Sequence, residues 1–211
     1  MEKSGTENIA GVILAGGRSL RMGGRDKALL PLGGKPMIER VSERLGGQVR
    51  EIAINANGDP ERFAFLGLPI VADEIGDYAG PLAGIQSAMK WAAARNAGYT
   101  HIVTVAADTP FFPVDLIARF VDAAPSEMAI VTARSAGGDH PVFALWPLAL
   151  AGDLEAWLRD GGNLKVRDWI ARHDAAAREF SSGENGVDPF FNINTPEDLS
   201  EAEAILRGKA A

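Results

Sequence analysis

The chain has no cysteine and only three histidines among its 211 residues. The absence of cysteine excludes disulfides, thiolate nucleophiles and Cys-ligated zinc, and it is compatible with a reducing compartment. The histidines are far apart in the sequence, so a metal cluster built on imidazoles has no support. The G-x-S-x-G pattern of many serine hydrolases is also absent. These absences exclude the zinc sites and the hydrolase class that rest on such residues.

The sequence also lacks any run of apolar residues long enough to span a bilayer. The polar segment Met1–Asn8 resembles neither a signal peptide nor an anchor. A formal net charge of −7 argues against a general nucleic-acid binder, because such proteins need basic faces. We therefore expect a cytoplasmic protein without a membrane or nucleic-acid partner.

Apolar runs that predict strands alternate along the chain with segments of helical periodicity. The predicted strands are Ile9–Leu14, Glu51–Asn55, Leu68–Ala72, His101–Ala107, Met128–Thr132, Pro141–Trp146 and Phe190–Asn194. Helices are predicted to begin at Pro36, at Gly80-Pro81 and at Thr195-Pro196, to cover most of Phe111–Val121, and to follow Trp146 as two short segments. The alternation predicts an α/β fold: a single Rossmann-like domain over residues 1–211, with a mostly parallel sheet and helices on both faces.

A glycine-rich stretch, LAGGRSLRMGGRDKAL, begins at the end of the first predicted strand and spans Leu14–Leu29. It matches neither the Walker pattern G-x-x-x-x-G-K-[ST] nor the Rossmann pattern G-x-G-x-x-G, which excludes a P-loop GTPase. Bare backbone amides at Ala15–Gly17, followed by cations, suit a triphosphate. The alternative is a glycine-rich turn with solvated arginines. The cations are Arg18, Arg21, Arg25 and Lys27.

Polar residues follow three of the predicted strands: Asn55, Asp73 and Asp108. The carboxyl ends of parallel strands share one edge, where open α/β sheets bind ligands, so we expect these residues to meet the glycine-rich stretch there. Asp108 is suited to hold Mg²⁺, although each of the three residues alone also fits a turn or a helix cap. His140 precedes a strand and is either a substrate contact or a strand-end side chain.

The glycine-rich stretch resembles the L-A-G-G-x-x-x-R-M signature of nucleotidyltransferases. Its ending, Asp26-Lys27, is similar to that of the molybdenum cofactor guanylyltransferases, whereas sugar-nucleotide enzymes usually have Pro-Lys. Together with four later segments, the resemblance runs nearly from end to end and implies the fold of nucleotide-diphospho-sugar transferases. Those segments are Asp77–Gly84, Asp108–Phe111, His140–Leu145 and Phe191–Leu199.

The resemblance implies transfer of GMP from GTP to the terminal phosphate of molybdopterin that carries molybdenum, with release of pyrophosphate. The amino-terminal half would bind GTP and the carboxyl-terminal half the acceptor. The implied GTP site comprises Leu14, Ala15, Gly16, Gly17, Lys27, Asn55, Asp73 and Asp108, with Mg²⁺ on Asp108. The catalytic residues would be Lys27, Arg21 and Asp108, and the candidate acceptor contacts are His140, Lys165, Asn192 and Asn194. Cofactor-insertion proteins and the recipient apo-enzymes are further candidate partners.

Two other functions stay open beside this one. A cytidylyltransferase of the same pathway tends to have L-A-A-G where this chain has Leu14–Gly17, so the motif favours guanine. A non-catalytic nucleotide-binding or carrier protein would tolerate the loss of Lys27 and Asp108, and both are present. The family often has paired arginines after a glycine in the second half; here that segment is Gly161–Arg167, with its basic residues displaced.

Overall fold

The protein was analysed as a computed structural model that describes residues 5–16, 26–74, 80–95, 97–161, 163–183 and 186–208. Within these ranges the strands are β1 (Ile9–Leu14), β2 (Pro31–Leu32), β3 (Lys35–Pro36), β4 (Ile52–Asn55), β5 (Ile70–Val71), β6 (His101–Ala106), β7 (Ile130–Ser135), β8 (Gly138–Pro147) and β9 (Ala175–Glu179). The α-helices are α1 (Met37–Gly46), α2 (Pro81–Ala94), α3 (Leu116–Ala123), α4 (Ala151–Arg159), α5 (Val166–Ile170) and α6 (Pro196–Leu206).

The main sheet has seven strands in the described part of the chain, in the order β5–β4–β1–β6–β8–β7–β9. All neighbouring pairs are parallel except those that β8 makes with β6 and β7. Strands β2 and β3 form a separate antiparallel pair. The prediction of an α/β fold with a mostly parallel sheet is confirmed.

Helices cover both faces of this sheet, and each face has its own apolar cluster. Helices α1 and α3 pack on one face, and α2, α4 and α5 pack on the other. Because both faces are covered, the strands are continuous apolar runs, and β1 is buried along nearly its whole length. In the described ranges, no helix combines the length and the apolar character needed to cross a membrane.

The packing of α1 on β1 depends on a glycine. A Cβ atom at Gly11 would lie 2.9 Å from the Cδ2 atom of Leu45 and 2.9 Å from the Cγ2 atom of Val49. A side chain there would push this end of α1 away from the sheet. The run Ile9–Leu14 is therefore both a strand and a close-packing surface.

The predicted start of α6 is confirmed in detail. Thr195 is the N-cap, and its hydroxyl oxygen accepts a hydrogen bond from the Asp198 amide at 3.1 Å. The Asp198 carboxylate accepts from the Thr195 amide in return, at 2.8 Å, which completes a capping box. It also accepts from the Asn194 amide at 2.8 Å, which ties the preceding segment to the helix.

One predicted strand is wrong, one predicted helix begins later than expected, and the strands β2, β3 and β9 were missed. The helix predicted over most of Phe111–Val121 is present but starts only at Leu116, and Pro113 disfavours helical backbone at Phe112, the residue before it. Phe190–Asn194 is not a strand. Its amides bond to loop and side-chain oxygens instead, as when the Ile193 amide donates to the Asp108 carbonyl at 2.9 Å. The last strand is β9, an alanine-rich edge strand with little strand propensity.

A buried polar pair joins β6 to β8. The indole Nε1–H of Trp146 donates to the Thr104 hydroxyl at 2.8 Å, and this hydroxyl donates to the Val142 carbonyl at 2.6 Å. Thr104 and Trp146 are both fully buried. The hydroxyl therefore satisfies a buried donor and a buried acceptor at once.

Replacement of the Thr104 hydroxyl tests how much the Thr104–Trp146 pair contributes to the stability of the fold. We expect Thr104→Val to lower the free energy of unfolding by about 2 kcal/mol, because a buried N–H and a C=O lose their partner while the side-chain shape is kept. Urea denaturation measures the change. Thr132→Val is the matched control: Thr132 lies in β7, and its side chain makes no hydrogen bond to the described residues. Equal stability losses in the two variants would contradict the assignment.

Candidate functional site

Three parallel strands end together at the edge of the sheet where the sequence places its polar residues. Leu14 pairs with Asn55 of β4 and with Ala106 of β6. Beyond the strands, the Ala15 amide donates to the Asn55 carbonyl at 2.8 Å, and the Ala107 amide donates to the Leu14 carbonyl at 3.1 Å. We call this edge the carboxyl rim. It places the start of the glycine-rich stretch between β4 and β6.

Asn55 and Asp73 form a bonded unit on this rim. The Asn55 amide nitrogen donates to Asp73 Oδ1 at 2.8 Å and to the Val71 carbonyl at 3.0 Å. Asn57 holds Asp73 from the other side: its Nδ2 donates to Asp73 Oδ2 at 2.7 Å, and its Oδ1 accepts from the Asp73 amide at 2.9 Å. Asn57 was not predicted from the sequence, and its only signal was its position just after the strand.

The glycine at position 84 leaves room for the Asn55 side chain. A Cβ atom at Gly84 would overlap with Asn55 Oδ1 and lie 2.9 Å from Asn55 Cγ. A Cβ atom at Gly16 would lie 3.8 Å from the same oxygen, which is ordinary van der Waals contact. Gly84 belongs to α2, whose first residues follow the rim. The helix can approach Asn55 this closely only because that position has no side chain.

Lys27 lies in a short 3₁₀ turn that begins just after Asp26. Asp26 caps this turn by accepting a hydrogen bond from the Ala28 amide at 3.0 Å. Its carboxylate also pairs with the Arg62 guanidinium at 3.3 Å. The Lys27 ammonium donates to Asn194 Oδ1 at 2.6 Å, across 167 residues of sequence. This contact brings the second half of the chain to the glycine-rich stretch.

Asp108 follows β6 and is close enough to Lys27 for the two charges to interact. Burial raises the pKa of the Asp108 carboxyl above its ordinary value, and the Lys27 ammonium acts in the opposite direction. The Asp108 carbonyl accepts from the Ile193 amide at 2.9 Å. In the described ranges, no three carboxylate or histidine side chains form a metal cluster. A single carboxylate that shares its cation with substrate phosphates is the usual arrangement for Mg²⁺, and Asp108 fits it.

A second cluster of polar side chains lies where β7 ends and β8 begins. Ser135 Oγ is 2.7 Å from His140 Nε2 and donates to Asp188 Oδ2 at 2.6 Å. Asp188 also accepts from the amides of Gly137, at 3.0 Å, and Phe190, at 2.8 Å. Burial tends to raise the pKa of Asp188, but these hydrogen bonds outweigh it and hold the pKa below its ordinary value.

Ser135 and Asp188 were not predicted from the sequence, because they are 53 residues apart and belong to no recognised motif. His140 stacks on Phe190 with ring centroids 4.5 Å apart and an angle of 28° between the planes. Burial lowers the pKa of the His140 imidazole below its ordinary value. We call Ser135, His140 and Asp188 the hairpin cluster.

The other candidate acceptor residues fall in different places. Asn194 contacts Lys27, and Asn192 is exposed on the same segment. Lys165 is exposed at the start of α5, where its amide donates to Asn163 Oδ1 at 2.9 Å. None of the described contacts joins Lys165 to the rim. Gly17 and Arg21, which the sequence also assigned to the site, lie outside the described residues.

The parallel strands that end together at the rim give this α/β sheet an edge of the kind at which such folds bind ligands. Residues 11–177 match the family model of the MobA-like NTP transferase domain. The chain is 52% identical over 198 residues to the molybdenum cofactor guanylyltransferase of Rhizobium meliloti, covering 92% of this chain and 90% of the relative. It is 47% identical over 202 residues to that of Mesorhizobium japonicum, covering 95% and 97%.

Solved structures agree on the fold. The molybdopterin-guanine dinucleotide biosynthesis protein A of Archaeoglobus fulgidus superposes with a TM-score of 0.70 at 22% identity, covering 94% of this chain and 99% of that one. A nucleotidyl transferase from Methanothermobacter superposes with a TM-score of 0.67 at 21% identity, covering 95% and 98%. The chain therefore belongs to the MobA-like NTP transferases and, among them, to the molybdenum cofactor guanylyltransferases.

A side chain at Gly84 would test the role of the Asn55–Asp73 unit. We expect Gly84→Ala to weaken nucleoside triphosphate binding at least tenfold, since the new methyl group displaces Asn55 from Asp73. Calorimetric titration with the four nucleoside triphosphates measures the change. Gly152→Ala in α4 is the control, because a Cβ atom there meets nothing within 4 Å. If both variants bind nucleotide as the parent protein does, the unit is not part of the nucleotide site.

Proposed function

We propose that this protein transfers GMP from GTP to the terminal phosphate of molybdopterin that carries molybdenum. The products are the guanine dinucleotide form of the cofactor and pyrophosphate. The observation that supports this most directly is the meeting of Lys27 and Asp108 on the carboxyl rim, between the nucleotide residues of β1 and β4 and the segment that ends at Asn194. The names of the close relatives agree with the same reaction.

In this proposal the nucleotide lies over Leu14–Gly16, with Asn55 and Asp73 as contacts at the β4 and β5 side of the rim. Gly17 would add a further backbone amide. The N-terminal half of a single domain would thus bind GTP, and the acceptor would approach from the β8 side, where His140 and Asn194 lie. Lys165 and Asn192 stay candidate acceptor contacts through their exposed side chains.

The reaction needs charge neutralisation more than proton transfer. The terminal phosphate of the acceptor attacks the α-phosphorus of GTP, and the bond to the pyrophosphate oxygen breaks. The nucleophile is largely deprotonated at pH 7, because the second pKa of a phosphate monoester is about 6. No protein base is therefore required, and positioning supplies much of the rate.

Lys27 would stabilise the charge that builds on the departing pyrophosphate, together with Arg21. Asp108 would hold a divalent cation, for which we propose Mg²⁺. When bound, this ion would offset the negative charge of the phosphates and orient them. The Lys27 ammonium donates a hydrogen bond to the Asn194 side-chain oxygen. This hydrogen bond keeps Lys27 directed across the rim.

The composition supports a cytoplasmic location and small anionic substrates. A net charge of −7 and the absence of cysteine agree with a cytoplasmic enzyme that acts on small anions and not on nucleic acid. Its product would pass to cofactor-insertion proteins or to the recipient apo-enzymes.

Nucleotide selectivity is the first test of the proposed reaction. We expect pyrophosphate release from GTP, but not from CTP, ATP or UTP, in the presence of Mg²⁺ and metal-loaded molybdopterin. A coupled pyrophosphate assay measures it. Turnover of CTP would instead identify a cytidylyltransferase. Binding of GTP without turnover of any nucleotide would favour a carrier.

Removal of the Asp108 carboxylate tests the metal site. We expect Asp108→Asn and Asp108→Ala to lower metal-dependent turnover by about a thousandfold, because the cation loses its protein ligand. Circular dichroism should show an unchanged fold. Asp122→Ala is the control, since Asp122 is an exposed aspartate of α3. Activity of either Asp108 variant within tenfold of the parent would contradict the assignment.

A further inference from the structure

The hairpin cluster determines which nitrogen of His140 carries the proton. Ser135 Oγ has one proton, which it donates to Asp188 Oδ2. The Asp188 carboxylate can only accept, and its other oxygen is occupied by the Phe190 amide. The contact of 2.7 Å between Ser135 Oγ and His140 Nε2 must therefore be donated by the imidazole. This places the proton of the neutral ring on Nε2.

Two further contacts limit the movement of these groups. The Gly137 amide donates to Ser135 Oγ at 3.2 Å as well as to Asp188, so both lone pairs of the hydroxyl are in use. A Cβ atom at Gly137 would lie 2.6 Å from Asp188 Oδ2, so the hairpin can approach the carboxylate only with a glycine there. Stacking on Phe190 sets the plane of the His140 ring. The ring thus has little freedom to flip.

The other ring nitrogen, Nδ1, makes no hydrogen bond to any described residue. His140 is half-buried, and its Nδ1 is not fully enclosed by the described residues. In the Nε2–H tautomer, Nδ1 carries a lone pair and can only accept a hydrogen bond. A fixed ring with one accessible acceptor atom is suited to recognise an N–H or O–H donor.

His140 also lies near the reacting groups. Phe190, which stacks on His140, is three residues from Ile193, whose amide bonds to Asp108. Three residues span at most about 10 Å of chain. The strand order places β8 on the opposite side of β6 from β1 and β4, which hold the proposed nucleotide residues. An acceptor molecule that approaches Asp108 from the β8 side therefore passes His140.

We propose that Asp188 and Ser135 hold His140 in its Nε2–H tautomer, so that Nδ1 accepts a hydrogen bond from the acceptor substrate. His140 is then a specificity-determining contact, and Ser135 and Asp188 are its positioning residues. This inference rests on the proposed function for the identity of the acceptor. The lone pair on Nδ1 repels phosphate oxygens. The recognised group is therefore an N–H or O–H donor of the acceptor and not its ionised phosphate.

Two amide variants distinguish the roles of the Nδ1 and Nε2 atoms of His140. His140→Gln places an amide where Nε2 lies and keeps the contact with Ser135, but it removes the acceptor at Nδ1. His140→Asn can place its oxygen near the position of Nδ1. We expect His140→Gln to raise the dissociation constant for metal-loaded molybdopterin about tenfold and His140→Asn to raise it less, with GTP affinity within twofold in both. Titration calorimetry measures both constants without turnover.

His101→Gln is the control, because His101 lies at the start of β6, on the edge of the sheet away from the carboxyl rim. It should leave acceptor binding unchanged. An unchanged dissociation constant in His140→Gln would overturn the proposal, as would an equal loss in His101→Gln. These measurements do not require guanylyl transfer. Failure of GTP turnover would overturn the proposed function while the role of His140 is still decided by binding.

The tautomer is measured independently by nitrogen NMR of the protein labelled in its histidine rings. We expect the His140 signals, assigned by their loss in His140→Gln, to show a protonated Nε2 and an unprotonated Nδ1 at neutral pH. Ser135→Ala should convert them to a mixture of tautomers, which a merely structural role for Ser135 would not do. A proton on Nδ1 in the parent protein, or an unchanged tautomer in Ser135→Ala, would overturn the proposal.

Discussion

The parallel hydrogen-bonded ladder of β4, β1 and β6 is the constraint on which the candidate site depends. Because the three strands run in one direction and pair in register, Leu14, Asn55 and Ala106 end at the same level. Open α/β sheets bind their ligands outside this edge. Backbone amides, the Asn55–Asp73 unit and Asp108 all owe their positions to this alignment. No local motif could place them together.

The segment from Asp188 to Asn194 connects this rim to the second half of the chain. It is anchored at Asp188 by the hairpin of β7 and β8, at Ile193 by the Asp108 carbonyl, and at its end by Lys27. Its backbone bonds to separate loops and not to a strand. The same segment thus contacts Asp108, Lys27 and His140, to which we assign the cation, the leaving group and the acceptor. A small displacement of this segment would change its contacts with all three of these residues.

Much of the fold followed from pattern alone, since buried parallel strands are apolar runs and helices show their own period. The bounds of β1, the start of α2 and the Thr195 cap were predicted closely, because local chemistry determines them. The prediction failed where pairing with a segment distant in the sequence determines whether a stretch becomes a strand. Phe190–Asn194 has strand-like composition but no strand beside it, whereas alanine-rich β9 is a strand only because β7 offers it a free edge.

The sequence by itself indicated the class of enzyme, through its resemblance to the nucleotidyltransferase signature, and the residue types at the strand ends, because glycines, cations and carboxylates suit a nucleotide. Only the tertiary structure decided their partners: Asn57 for Asp73, Asn194 for Lys27, and Ser135 with Asp188 for His140. These pairs are separated by up to 167 residues. Hydrogen bonds act over about 3 Å, and sequence spacing does not indicate which distant side chains the folded sheet brings within that distance.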